Sequence, residues 1–148
     1  MAERLGWTTA RPDYRVADQL GYAGSVAPRL ERLIAAMHAG ARPLVLAGSS
    51  MGAFVSALAS LRVPCDGMFL MALPTAIPGY AESLGCAQGL RSMLVHGYHD
   101  ELCPVDAALA FARGQSMPAL LLADGHRLAD QLDTLEHQFR LFLQQWAD

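Results

Sequence analysis

Apolar residues run along this chain in two rhythms. Short runs without period-2 alternation, such as Pro43-Leu44-Val45-Leu46-Ala47 and Met68-Phe69-Leu70-Met71-Ala72, read as strands buried on both faces. Elsewhere the spacing is helical: Val26, Leu30, Leu33, Ile34 and Met37 line one face, and Leu128, Leu132, Leu135, Phe139, Phe142 and Trp146 line another. The two rhythms alternate. A first strand is expected over residues 6–11, ended by Pro12-Asp13, followed by a helix with Ser25 as N-cap, Pro28 in its first turn and Gly40 as its stop. Strands are then predicted at 44–47, 67–71, 92–96 and 119–122. A helix rich in small residues (Gly52, Ala53, Ser56, Ala57, Ala59) reaches Leu61, and another runs from Pro104 to Arg113. The stretch 73–90 is broken by Pro74, Pro78, Gly79, Gly85 and Gly89, so it reads as a loop with room for one short helix.

Alternating strands and helices predict one α/β domain over residues 1–148. Its fold class is a three-layer α/β/α sandwich around an open, mostly parallel sheet of about five strands with right-handed crossovers. In such sheets ligands bind outside the carboxyl ends of the strands, so residues directly after strands are the candidates for chemistry.

Composition narrows the partners. With 148 residues, 53% apolar, the chain can bury about 70% of its unfolded surface and needs no disulfide or metal to fold. A net charge of −3 and scattered arginines give no footprint for nucleic acid or for an anionic membrane surface. Mean hydropathy is positive, at +0.22. Every apolar run nevertheless ends well short of the roughly 20 residues a spanning helix needs. Cys65, Cys86 and Cys103 are widely spaced and odd in number, and read as small buried hydrophobes. The first residues lack a signal-peptide layout, so a reducing, cytoplasmic setting is expected.

Three post-strand loops carry reactive residues. Gly48-Ser49-Ser50-Met51-Gly52 is a G-x-S-x-G match between a buried strand and a helix. There a sharp turn holds the serine in a strained conformation, flanking glycines leave room, and the Met51 N–H faces a developing oxyanion. A serine needs a base, and the base an orienting carboxylate. Asp100 follows the fourth predicted strand and His126 the fifth, giving the order Ser, Asp, His. His96 and His99, beside Asp100, read as structural or pocket-lining, and His38 and His137 as solvated helix surface. Asp124 is expected to shape the histidine turn, and Asp106 to open a helix. No ligand spacing supports a zinc site built from His96, His99 and Cys103, so no metal is expected.

Leu44 to Ala53, His96-Gly-Tyr-His-Asp100-Glu-Leu-Cys-Pro and Asp124-Gly-His126 resemble the nucleophile elbow, acid loop and histidine loop of the α/β-hydrolase superfamily. The nearest branch is its small, capless, dienelactone-hydrolase-like members. The resemblance implies Ser50 as nucleophile, His126 as base and then acid, and Asp100 as its orienter. Dienelactone hydrolases use cysteine, so Ser50 places the esterase branch nearer. Ser49, Ile77 and Tyr80 are the candidate pocket residues, the last two in the only lid-like stretch. A small ester or related acyl substrate is implied, with no cofactor.

The pattern departs from the family in one respect. A strand should precede the one at 6–11 and end in a His-Gly loop that supplies a second oxyanion N–H. Nothing upstream of Trp7 fits it, and residues 1–5 read as the last turn of a helix. The sequence therefore describes an N-terminally shortened α/β-hydrolase fold with a gap between its first two strands. A truncated or misassigned start, direct pairing across the gap, or a second copy filling it would each account for this, and a longer form is expected to be the competent enzyme. The rival expectation is a non-catalytic hydrolase-like interaction module, dimeric through the incomplete sheet.

Overall fold

The computed structural model describes residues 1–39 and 41–147. In chain order the elements are a 3-10 turn Ala2–Leu5, α1 (Arg15–Asp18), α2 (Gly21–His38), β1 (Val45–Ser49), α3 (Met51–Ser60), β2 (Gly67–Met71), β3 (Arg91–Gly97), α4 (Val105–Gly114), β4 (Ala119–Leu122) and α5 (Leu132–Leu143). Short 3-10 turns bracket α5 at Ala129–Gln131 and Gln144–Trp146. The strands form one parallel sheet in the order β1-β2-β3-β4, with Val45 opposite Gly67, Gly67 opposite Arg91 and Leu94 opposite Ala119. Parallel strands in sequential order leave the loops that follow β1, β3 and β4 together at the carboxyl end of the sheet.

Because side chains alternate across a strand, the sheet feeds two cores. Leu46, Met68, Leu70 and Leu94 join Val26 and Leu30 of α2, Phe54 and Leu58 of α3, and Ala108 and Ala112 of α4. On the opposite face Phe69, Val95 and Leu122 meet Leu135, Phe139 and Phe142 of α5. The second core is aromatic, with the Phe69 ring 4.9 Å from Phe139 and 5.4 Å from Phe142. Every residue of α3 from Ala53 to Ser60 is buried, because α2 lies over the side turned away from the sheet. The run of alanines and serines is what lets one helix be covered from both sides.

Several expected elements are corrected. The sheet has four strands, and residues 6–11 form none: Gly6 turns into the left-handed region at φ 86° and the backbone beyond it stays irregular up to α1. A strand there needs a neighbour to take its backbone bonds, and among the described residues none lies beside the outer edge of β1. Trp7 packs instead against Trp146, ring edge to ring face, at 6.0 Å. For the same reason β1 is not buried throughout: Ala47 and Ser49 are exposed. Helix α2 starts at Gly21, four residues early, so Ser25 is no cap; it is buried and its Oγ donates to the Tyr22 carbonyl. Pro28 thus sits inside the helix rather than in its first turn. Gly40, the expected stop, lies outside the described residues. Residues 73–90 hold turns and bends without a helix. No helix among the described residues is long and apolar enough to cross a membrane.

The α5 core yields a first prediction. Phe142 is 3% exposed and closes the aromatic cluster. Phe142→Ala should cost about 3–5 kcal/mol in urea denaturation. A loss below 1 kcal/mol would mean that α5 does not seal this face.

Candidate active site

The site begins with a backbone constraint at the end of β1. Ser50 caps α3 at φ 54°, ψ −121°, a conformation that costs a residue with a Cβ on the order of 1–3 kcal/mol. It is held there by its own N–H, which donates to the Met71 carbonyl of the neighbouring strand at 2.9 Å, and by its carbonyl, which accepts from Ala53 and Phe54 at 2.9 and 3.1 Å. The two glycines flanking it are not equivalent. A Cβ on Gly48 would lie 2.3 Å from the Gly52 carbonyl oxygen, whereas one on Gly52 would meet nothing within 4 Å. Only Gly48 is required by the turn, because the chain doubles back over it. Since Ala53 and Phe54 take the Ser50 carbonyl, the N–H groups of Met51 and Gly52 remain without an intrahelical acceptor at the positive end of α3.

Glycine also joins the other two loops. A Cβ on Gly97, the last residue of β3, would fall 2.3 Å from the Asp124 carbonyl, so the acid and histidine loops meet there backbone to backbone. The Tyr98 and His99 N–H groups donate to the Leu122 and Asp124 carbonyls at 2.8 and 3.0 Å. Asp124 shapes the second loop: its carboxylate accepts the Gly125 and Asp130 N–H groups at 2.7 and 2.9 Å.

These constraints bring Ser50, Asp100 and His126 together. His126 Nδ1 lies 2.8 Å from Asp100 Oδ2 and its Nε2 lies 2.9 Å from Ser50 Oγ. The Asp100 carboxylate can only accept, so Nδ1 carries the hydrogen and Nε2 offers its lone pair to the serine hydroxyl. Asp100 is fully buried at its side chain, while His126 keeps 20% of its own exposed. Burial pushes the Asp100 carboxyl upward in pKa. The Cys103 N–H, the His126 side chain and the Leu102 N–H outweigh it and hold Asp100 below the usual carboxylate range. Those backbone bonds, at 2.8 and 2.9 Å, both fall on Oδ1, leaving Oδ2 for the imidazole.

A solved structure named as a hydrolase of the alpha/beta superfamily, from Xanthomonas campestris pv. campestris, is 40% identical to this chain. It matches at a TM-score of 0.90, over 97% of this chain and 85% of its own. The chain belongs to the α/β-hydrolase superfamily. Two more distant structures share the fold. One is an alpha-beta serine hydrolase homologue from Coxiella burnetii, at 24% identity, TM-score 0.61, 96% of this chain and 65% of its own. The other is esterase PE8, at 22% identity, TM-score 0.59, 81% of this chain and 63% of its own. The chain thus spans about two thirds of the length of these last two. No family model matches it, and no curated protein does.

Within this α/β-hydrolase site the remaining residues sort by contact. Ser49 is exposed beside Ser50. Ile77 and Tyr80 pack against the core: Ile77 is 7% exposed within it, and the Tyr80 ring stands edge-on to Phe54 at 6.0 Å, with its hydroxyl donating to Glu82. Two shallow surface depressions, one along 129–134 and one between Leu90 and Phe142, include no residue of the triad.

His96 has a larger part than its sequence position suggested. It is fully buried, and its Nε2–H donates to the Cys103 carbonyl at 2.7 Å while lying 3.4 Å from Asp100 Oδ2. It therefore pins the acid loop from below. Its Nδ1 is buried without a hydrogen-bond partner. His38, His99 and His137 are all exposed, and Asp106 opens α4.

Two predictions follow from the geometry. Gly48→Ala should destabilise by about 1–3 kcal/mol and disturb Ser50, while Gly52→Ala stays within about 1 kcal/mol of the parent. Equal effects in thermal melts would contradict the asymmetry. Because the folded pKa of Asp100 lies below its unfolded value near 3.8, its stabilisation is complete above that pH and is lost as pH falls through the folded value. Asp100→Asn should accordingly flatten the acid limb of stability against pH, and an unchanged limb would overturn the assignment.

Proposed function

We propose that this chain is a serine hydrolase of the carboxylic-ester type, acting on a small ester or related acyl substrate. The observation that carries the reading is the continuous relay from Asp100 Oδ2 through His126 to Ser50 Oγ, with both links under 3 Å. Ser50 Oγ attacks the substrate carbonyl as His126 Nε2 takes its proton. The Met51 N–H, at the start of α3, donates to the tetrahedral oxyanion. His126 then passes the proton to the leaving alcohol, and water repeats the sequence on the acyl-enzyme. Asp100 fixes the tautomer and faces the imidazolium while it lasts. The relatives named as hydrolase, serine hydrolase homologue and esterase support the class. The mechanism needs no cofactor.

One observation favours a second reading. Among the described residues β1 has no strand at its outer edge, and a second oxyanion donor is not identified. Such a chain suits a non-catalytic hydrolase-like module that pairs with another copy along β1.

Labelling by a fluorophosphonate separates the two. The enzyme reading expects stoichiometric modification at Ser50, abolished in Ser50→Ala and weakened in His126→Ala; a folded, unreactive protein supports the module. On a panel of p-nitrophenyl esters the short acyl chains should turn over fastest. Asp100→Asn should cut kcat by on the order of 10^4-fold, because the amide N–H forces the wrong imidazole tautomer. Unchanged turnover would remove Asp100 from the mechanism.

A further inference from the structure

One buried nucleophile stands beside the triad and has no part in the mechanism. Cys103 is a free thiol, 6% exposed, on the loop that carries Asp100. Its backbone is engaged on both sides, the N–H by Asp100 and the carbonyl by His96, so its side chain is held in place. A carboxylate oxygen of Asp100, the sulfur of Cys103 and a ring nitrogen of His126 all lie within 4.8 Å of one another.

We propose that Asp100, Cys103 and His126 form an inhibitory site for a thiophilic divalent cation of the zinc and cadmium class.

The donor set suits such an ion. A sulfur, an imidazole nitrogen and a carboxylate oxygen are the ligand types zinc takes, and three protein ligands leave the fourth position for water. Bonds of about 2.0–2.3 Å in a tetrahedron require ligand atoms about 3.3–3.6 Å apart, which side-chain shifts of about one ångström would provide. Charge also balances, because the cation meets one carboxylate and one thiolate in a site closed to solvent on the Asp100 side. Access is from the His126 side, which is 20% exposed.

Protons account for the inhibition. The imidazole nitrogen facing Asp100 is Nδ1, which carries the hydrogen in the resting site. A metal–Nδ1 bond needs that lone pair, so the imidazole binds as the other neutral tautomer, with its hydrogen on Nε2. Nε2 then cannot accept the Ser50 proton. The sulfur binds as thiolate, releasing one proton to solvent.

The inhibitory effect rests on the hydrolase reading; the binding does not. Cadmium chloride titrated into the protein should produce the ultraviolet charge-transfer band of a cadmium–thiolate bond, in the parent and equally in Ser50→Ala. Cys103→Ser and Cys103→Ala should lose the band and weaken binding at least about tenfold. Ester hydrolysis should be inhibited by zinc or cadmium, restored by a chelator, and resistant in both Cys103 variants, whose metal-free turnover shows that they are folded. Inhibition of equal strength in the Cys103 variants, or a band without inhibition of an active enzyme, would overturn the proposal. So would the absence of any band. A band in a protein that hydrolyses no ester would leave the site standing and remove the hydrolase reading instead.

Discussion

The constraint on which the rest of this molecule depends is the single-residue turn between β1 and α3. A parallel strand that feeds a helix must reverse over the sheet, and here it does so at Ser50 alone, at φ 54°. The strain is tolerable only because the turn is fastened on both sides. The Ser50 N–H is bonded to β2, and its carbonyl is bonded to two N–H groups of α3. Gly48 is the necessary companion, since any Cβ there would occupy the space of the Gly52 carbonyl. Fold and chemistry meet in this one residue: the conformation that starts α3 also lifts Oγ off the sheet toward the histidine loop.

What stands opposite is fixed by strand register rather than by local strain. Gly97 ends β3 level with Leu122 at the end of β4, and the lack of a Cβ at Gly97 lets the two loops touch. Asp100 lies three residues beyond Gly97 and His126 four beyond Leu122, so they converge without any long excursion of the chain. Asp100 then acts as a hub, accepting two backbone N–H groups on one oxygen and the imidazole on the other. Because its charge is satisfied by donors, it stays ionised although buried, which is what an orienting carboxylate requires.

Much of this was legible in the sequence, and the failures have a common cause. The runs at 44–47 and 67–71, the small-residue helix and the aromatic stripe of α5 gave the layers directly, since each pattern reflects burial on known faces. Ser50, Asp100 and His126 stood out because reactive residues directly after strands have few structural reasons to be there. The strand expected at 6–11 was misread because a strand is a property of its neighbours, and the sequence of one segment carries no record of what lies beside it. Ile77 and Tyr80 show a related ambiguity: apolar residues on a broken loop look alike whether they line a pocket or pack on the core, and both contribute to the core. The start of α2 was missed because Ser25 has the chemistry of a cap, while its hydroxyl is used inside the helix. Gly97 and His96 were available as signals. A glycine at the last position of a buried strand marks a close backbone approach, and a histidine just before it, pointing into the core, marks a group that holds the loop.

Burial in this site separates three sealed groups from one that reaches solvent. His96 is sealed, with one nitrogen donating to a carbonyl and the other unpartnered. Asp100 is sealed and held ionised by its donors. Cys103 is sealed, and burial, with the Asp100 charge second, pushes its thiol up. His126 alone keeps an edge in solvent and touches both the anion behind it and the hydroxyl before it. Of the four ionisable side chains gathered within a few ångströms, His126 is the one that reaches both the Ser50 hydroxyl and solvent. Asp100 and Cys103 sit on the acid loop and His96 at the end of β3, so the stretch that fixes Asp100 also seals its neighbours.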